Sequence, residues 1–413
     1  MFSGSITFVF RITGLLLNFL VVFFLTKSYG ESVFGNYTLI FTMVQATTMV
    51  FALGTPNALI SFLSLNKIDD HFSQFLLKKG LKAIVLISLI PCSIYFFLGK
   101  TIAIKSFHNP ELESYFDIIA ITLPCFLVHE FILGFLIATK NFKKYNIFMF
   151  VLPNIIFMLL LLLFPISIQN QSLLILFYSI SILATVTIAC FFIFKKHQIE
   201  VLEKLSTKDF LKFSSPMMLS SLMIFLLNWT AIFMLGYLTT PKDVGVYNLA
   251  YKLSTLAMLV IISMNIVLAP KISELYKNQN IKELHSIIKK TTWIIMFFTL
   301  PIVMILLVFS EQILNVFGHN FIEGKSALMI ITIGVMINVM TGNVDQILNM
   351  TGNQKLLQNI TIFGFVLNVF LNFLLIPKFG VNGAAIASLL TNVVFNLICL
   401  RQIKKKLGFY TFC

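Results

Sequence analysis

Runs of about 20 residues that are almost free of charge follow one another along this whole chain, and each is long enough to cross a hydrocarbon layer about 30 Å thick. They stand at 5–26, 36–62, 81–99, 116–138, 145–165, 172–194, 212–237, 244–269, 291–309, 327–349, 358–376 and 381–401. Backbone N–H and C=O groups find no water in lipid, so each run has to satisfy its own hydrogen bonds as a helix. Only 11% of the residues are charged, whereas a soluble domain carries about 25%. A chain so poor in charge cannot coat a water-facing surface. The sequence therefore predicts an all-α, polytopic membrane protein of twelve transmembrane helices. Pro56, Pro91, Pro124, Pro153, Pro216 and Pro301 fall in or at the ends of these runs. Proline is tolerated in such helices, where it adjusts their shape or bends them around a cavity.

The formal net charge is +14, a balance that in a soluble chain would point to nucleic acid. Its distribution has another cause. With the N-terminus in the cytoplasm, 22 of the 30 Lys and Arg residues fall in the even-numbered loops and the tail that includes Lys404, Lys405 and Lys406. Six fall in the odd-numbered loops: Lys27, Lys100, Lys105, Lys242, Lys325 and Lys378. Basic residues collect in short cytoplasmic loops. The split places both termini in the cytoplasm, the membrane being expected to be a bacterial inner (plasma) membrane, and no nucleic-acid partner is expected. Cys92, Cys125, Cys190 and Cys399 lie inside apolar runs, and no two cysteines form a CxxC pair. They read as small buried residues, without a disulfide framework or a metal site. The first run contains Arg11 and Asn18 and is followed by no small-residue cleavage site, so it is expected to be retained as a helix.

The chain also repeats. Gly35-Asn36-Tyr37-Thr38-Leu39 and Gly245-Val246-Tyr247-Asn248-Leu249 share G-x-Y-x-L at an offset of 210 residues. Thr139-Lys140-Asn141-Phe142-Lys143 and Thr351-Gly352-Asn353-Gln354-Lys355 share T-x-N-x-K at an offset of 212. Six spans separate the members of each pair. The expected architecture is two six-helix lobes in the same orientation, 1–200 and 201–413, a common transporter plan with a central site.

Ionisable residues at depth are costly in a membrane and usually face a cavity. Lys252 lies about nine residues into the eighth span, roughly 14 Å deep at 1.5 Å per residue. Asn248 and Thr255 share its face. It can serve as a cation for an anionic ligand group, or as a structural partner of Glu130. His129 and Glu130 stand side by side in the fourth span. Both can titrate in a desolvated setting, which suits ion or proton coupling; the other reading is a bond between helices. Arg11, with Gly14 and Asn18 on its face, can hold a phosphate through two parallel hydrogen bonds or reach back to the headgroups. Asp345, near the end of the tenth span, either sits at the interface or joins Asn338 and Asn349 in a polar wall that could serve ion coupling. Asn18, Gln45, Asn57, Asn154, Asn228, Asn265, Asn338, Asn368 and Asn372 recur inside the spans. Singly, such amides join helices; together they suit a substrate rich in hydroxyls, since an amide both donates and accepts. Asn18, Asn57 and Asn248, with Arg11 and Lys252, form the expected substrate-binding set.

There is no glycine-rich phosphate loop, no HExxH and no GxSxG, so ATP-driven pumping, hydrolysis and a resident cofactor are not expected. The loops on both sides are short. The longest odd-numbered loop, near 100–115, carries little of the basic surface that a glycan polymerase would need.

Several strings resemble those of the polysaccharide transporters, or oligosaccharide flippases, of the superfamily that also contains multidrug and toxin extruders. They are Leu227-Asn228-Trp229-Thr230-Ala231-Ile232-Phe233-Met234-Leu235-Gly236-Tyr237, then Val244-Gly245-Val246-Tyr247-Asn248-Leu249-Ala250-Tyr251-Lys252, and Thr341-Gly342-Asn343-Val344-Asp345-Gln346-Ile347-Leu348-Asn349-Met350-Thr351-Gly352-Asn353. Ile376-Pro377-Lys378-Phe379-Gly380-Val381-Asn382-Gly383-Ala384-Ala385-Ile386-Ala387 belongs with them. The similarity covers much of 212–406 and in the first half rests on Gly35 and Tyr37. It implies two lobes, a cationic central cavity and alternating access for undecaprenyl-diphosphate-linked repeat units of O-antigen or capsule. Lys252 and Arg11 would attract the diphosphate. Partners would be the lipid-linked oligosaccharide, the bilayer and other glycan-assembly membrane proteins. Relatives often carry an acid where this chain has Ala231, so coupling here would fall to another group such as Glu130. A cation-coupled multidrug extruder is the alternative.

Overall fold

The computed structural model describes residues 2–52, 54, 55, 59, 70–167, 170–193 and 225–412. Asn57, Pro56, Pro216 and the loop 195–211 lie outside the described residues. The described elements are helical, with no strand among them. In order they are α1 (Phe2–Phe51), α2 (Asp70–Thr101), α3 (Leu112–Ala138), α4 (Phe142–Asn146), α5 (Leu152–Leu163) and α6 (Leu173–Ile193). There follow α7 (Phe225–Leu238), α8 (Pro241–Thr255), α9 (Leu259–Lys277), α10 (Ile281–Val308) and α11 (Ser310–Phe317). Last come α12 (Lys325–Thr341), α13 (Val344–Met350) and α14 (Gln354–Leu407).

Nine helical stretches among the described residues are long and apolar enough to cross a membrane. Two of them, Phe10–Phe51 and Gln354–Leu407, have 42 and 54 residues, which is about twice the span a bilayer needs, or more. Each is broken by a glycine outside helical geometry, Gly30 at φ 78° and Gly380 at φ 52°. Glycine has no Cβ to oppose that conformation. Counted as two crossings each, and with the shorter apolar α7, these stretches account for the twelve expected helices. The chain is a multi-pass, all-α membrane protein.

The chain forms two compact units, 1–28 with 36–225 and 29–35 with 226–413. In the first unit, α3 is the central element. Tyr115, Phe116, Ile119, Leu123, Leu127 and Phe131 are completely buried along it. Tyr178 of α6 packs on Tyr37, Phe41, Phe126 and Phe157, with ring centroids 5.3–6.4 Å apart. A polar knot closes one end of this unit. Buried Asn36 donates to Glu111 at 2.8 Å and to Gln171 at 3.2 Å, and accepts from Asn109 at 2.8 Å. Three segments far apart in sequence are tied there.

In the second unit α8 starts with a capping box. Thr240 accepts from the Asp243 N–H, Asp243 accepts from the Thr240 N–H, and Pro241 opens the first turn. The helix tightens to a 3₁₀ turn at Leu256–Met258 before α9 continues. The segment after α14 folds back. Gly408 is left-handed, Phe409 stacks on His285 with centroids 4.6 Å apart, and fully buried Thr411 donates to the Thr341 carbonyl.

The repeat is visible in backbone geometry. Lys140 and Gly352 hold the same left-handed position, at φ 58° and 76°. In both turns the threonine hydroxyl donates to the carbonyl four residues back, 2.9 Å to Phe135 and 2.8 Å to Ile347. The Asn141 N–H reaches the Leu136 carbonyl at 2.8 Å, and the Asn353 N–H the Leu348 carbonyl at 3.0 Å.

Candidate functional site

In the first unit the polar residues at depth gather on α1, α3 and the break between α4 and α5. The Arg11 guanidinium carbon lies 6.0 Å from the centre of the Phe150 ring, within range of a cation–π attraction. Its Nε is buried and meets no acceptor. The Tyr145 hydroxyl lies within electrostatic reach of both Arg11 and Glu130, and its ring meets Phe150 edge-on at 6.2 Å. Arg11, Tyr145 and Phe150 thus form one cluster, with Glu130 within electrostatic reach of the Tyr145 hydroxyl. Gly14 lets α1 approach: a Cβ there would overlap Phe150 and stand 2.8 Å from its carbonyl oxygen. Asn18 is half-buried two turns along α1.

His129, beside Glu130, is buried and its Nε2 lies 3.1 Å from the Phe148 carbonyl. A carbonyl only accepts, so the ring donates from Nε2. Its partner belongs to a π-turn, Ile147–Val151, closed by the Leu152 N–H on the Ile147 carbonyl. The sequence had a signal for this break in Pro153 but none for its π character. Tyr145 and Phe150, unlike Arg11 and Glu130, carried no mark of a site.

In the second unit Lys252 is half-buried midway along the span Pro241–Asn265, and Asn248 is buried one turn before it. Tyr251 stacks on Tyr247 at 6.3 Å and meets Trp229 at 6.5 Å. The Tyr247 hydroxyl pairs with Ser388 at 3.0 Å. Lys252 is therefore carried on a helix whose neighbouring positions are aromatic, and the 3₁₀ turn follows within one helical turn.

Of the two placements the sequence leaves open for Asp345, the wall shared with Asn338 is not formed. The tenth span ends at Thr341, where Gly342 turns left-handed at φ 73°. Asp345 lies beyond that bend in the first turn of α13, exposed, and does not continue the face of Asn338. The bend is fixed by Asn343, which donates to Asn265 at 2.6 Å. Other amides are also spent on packing. Asn154 donates to the Phe150 carbonyl at 2.8 Å, Asn368 to Thr391 at 3.2 Å, and Asn372 to Asn368 at 2.9 Å. Ala231 is buried in α7.

Residues 3–276 match the family described as Polysaccharide biosynthesis protein, and residues 216–374 match the family described as MatE. A "Probable low-salt glycan biosynthesis flippase Agl15" of Haloferax volcanii is 28% identical over 46% of this chain and 40% of its own length. A "Probable flippase AglR" of the same organism is 24% identical over 43% of this chain and 38% of its own. The chain thus matches less than half the length of these curated relatives. Among solved structures, "Lipid II flippase MurJ, inward closed conformation" superposes with a TM-score of 0.79 at 17% identity, over 98% of this chain and 87% of that one. An "inward-facing conformation of a multidrug resistance MATE family transporter of the MOP superfamily" gives 0.74 at 16% identity, over 98% of both chains. At such identities the likeness is one of fold.

Proposed function

Because the chain belongs to the polysaccharide biosynthesis protein family, we propose that it is a flippase for undecaprenyl-diphosphate-linked oligosaccharide. It carries an O-antigen or capsular repeat unit from the cytoplasmic to the periplasmic leaflet of a bacterial inner membrane by alternating access. The observation that carries this reading is Lys252, a cation held midway along an apolar span on a helix flanked by aromatic rings. Ionisable residues at such depth mark substrate and ion paths, and a lysine suits the diphosphate, the anionic part of such a substrate. Arg11 with its unmet Nε is the second anion-binding group. Asn18, Asn57 and Asn248 are assigned to the sugar hydroxyls, which an amide can both donate to and accept from. Coupling to an ion gradient is assigned to Glu130, with His129 and Asp345. Two flippase-named relatives support the substrate class. Both termini lie in the cytoplasm, as the basic loops require, and other glycan-assembly membrane proteins are its neighbours.

The test follows a labelled lipid-linked oligosaccharide in vesicles by its accessibility from either side. Lys252→Ala should slow translocation about tenfold or more, the scale of one lost charge-assisted hydrogen bond. Unchanged translocation in Lys252→Ala vesicles and in vesicles without the protein would refute the reading. The MatE match over 216–374 favours a second one, cation-coupled drug extrusion. In that case deletion raises drug sensitivity and leaves surface glycan intact.

A further inference from the structure

The π-turn at Ile147–Val151 leaves one carbonyl without its usual partner. The Leu152 N–H is spent on the Ile147 carbonyl. The next donor along the chain would be residue 153, which is proline and has no N–H. The Phe148 carbonyl is thus deprived of backbone partners in both the α and the π register. It is in a buried environment, where an unsatisfied carbonyl is costly. His129 of α3 fills that vacancy from 3.1 Å. Two residues further on, the same turn places Phe150 against Gly14 and beneath the Arg11 guanidinium.

We propose that His129 is a positioning residue for anion binding: through its bond to the Phe148 carbonyl it holds the π-turn that sets the Phe150 ring under Arg11. The inference rests on the reading of Arg11 as a substrate cation. It also takes His129 out of the coupling set and leaves Glu130 and Asp345 there, because His129 then acts by holding a fixed Nε2–H and not by passing a proton. A change of register would rotate residue 150 by about 100°, the turn per residue of a helix with 3.6 residues per turn. The ring would leave Arg11, and a guanidinium without its platform loses its fixed aim. Helices with π-turns often place them at functional sites for this reason.

The chain has two arginines, Arg11 and Arg401, so Arg11 can be followed with Arg401 as an internal reference. The purified full chain in lipid nanodiscs is treated with phenylglyoxal, and the adduct at each arginine is quantified by mass spectrometry. This arm needs no transported substrate. His129→Ala should raise the Arg11 rate relative to Arg401 several-fold, and His129→Gln, which keeps an N–H donor but cannot titrate, should restore it. Should His129→Ala not fold, Phe150→Leu removes the platform directly and should raise the same rate. An Arg11 rate unmoved by His129→Ala in folded protein, or one raised as much by His129→Gln, overturns the proposal.

The second arm measures translocation of labelled undecaprenyl-diphosphate oligosaccharide. His129→Ala should raise the apparent KM about tenfold in the Arg11 background and add nothing in Arg11→Ala, the signature of residues acting through one another. A further loss in Arg11→Ala would show a role independent of Arg11 and overturn the proposal. If the first arm responds while Arg11→Ala leaves translocation intact, the positioning stands and the substrate reading of Arg11 fails.

Discussion

Gly35 and Gly245, the equivalent glycines of the internal repeat, lie against one another in the second unit. A Cβ on Gly245 would stand 3.1 Å from the Gly35 nitrogen, and one on Gly35 would stand 3.0 Å from the Gly245 nitrogen. Each added Cβ would also overlap a carbonyl, that of Pro241 or that of Glu31. Backbone cannot yield as a flexible side chain can. Gly35→Ala and Gly245→Ala should each cost about 1–3 kcal/mol, the range for forced overpacking. Thermal unfolding in detergent reads this, with Gly364→Ala as the control, because a Cβ at Gly364 would meet its neighbours no closer than 3.6 Å.

The twin turns at Lys140 and Gly352 give a prediction of opposite sign at equivalent positions. Lys140 sits at φ 58°, where a side chain is strained, and Gly352 at φ 76°, where none is present. Lys140→Gly should stabilise and Gly352→Ala should destabilise, each by about 1 kcal/mol. Paired unfolding curves of the two variants check the sign.

Asn36 joins three segments through one amide. It is fully buried, and its loss leaves Asn109 without an acceptor and Glu111 with one donor fewer. Asn36→Ala should cost about 2–4 kcal/mol, more than one average hydrogen bond, because buried polar groups are stranded. Asn36→Asp should not rescue it, since a second carboxylate would face Glu111. Proteolysis at the 107–111 loop offers a local readout.

Glu311 supplies the pH dependence that can be traced outside the spans. The Lys325 ammonium, 2.8 Å away, donates to its carboxylate and holds it below its ordinary value of 4.5. A depressed carboxyl stabilises the fold above its unfolded value and loses that contribution as the pH falls through the folded value. Both side chains are about half exposed, so the effect is small and weakens with salt. Glu311→Gln should lower stability slightly near neutral pH and flatten the acid limb, so that variant and wild type converge at low pH.

Much of the fold is legible in the sequence because a membrane helix carries its own evidence. Length and apolar content place the helices, and the two offsets place the repeat. Gly30 and Gly380 blur the count only because the chain turns within what is otherwise continuous helix. The tenth span reads too long, to 349, for a related reason. Hydropathy runs straight through Gly342, whereas a left-handed φ ends the helix there. Of the candidate site, Arg11, Glu130 and Lys252 are legible as charges where charge is expensive. Tyr145 and Phe150 are not, because an aromatic residue in an apolar run looks the same in a core and in a site. The knot around Asn36 is also invisible, since its partners lie 75 and 135 residues away and no periodicity links them.

The bond from Thr411 to the Thr341 carbonyl joins residues 70 positions apart. On the ribosome, the bend at Gly342 is therefore made long before the segment that covers it. The carbonyl left open where the helix ends at Thr341 is thus closed from 70 residues downstream, and local sequence around Gly342 cannot secure that end by itself.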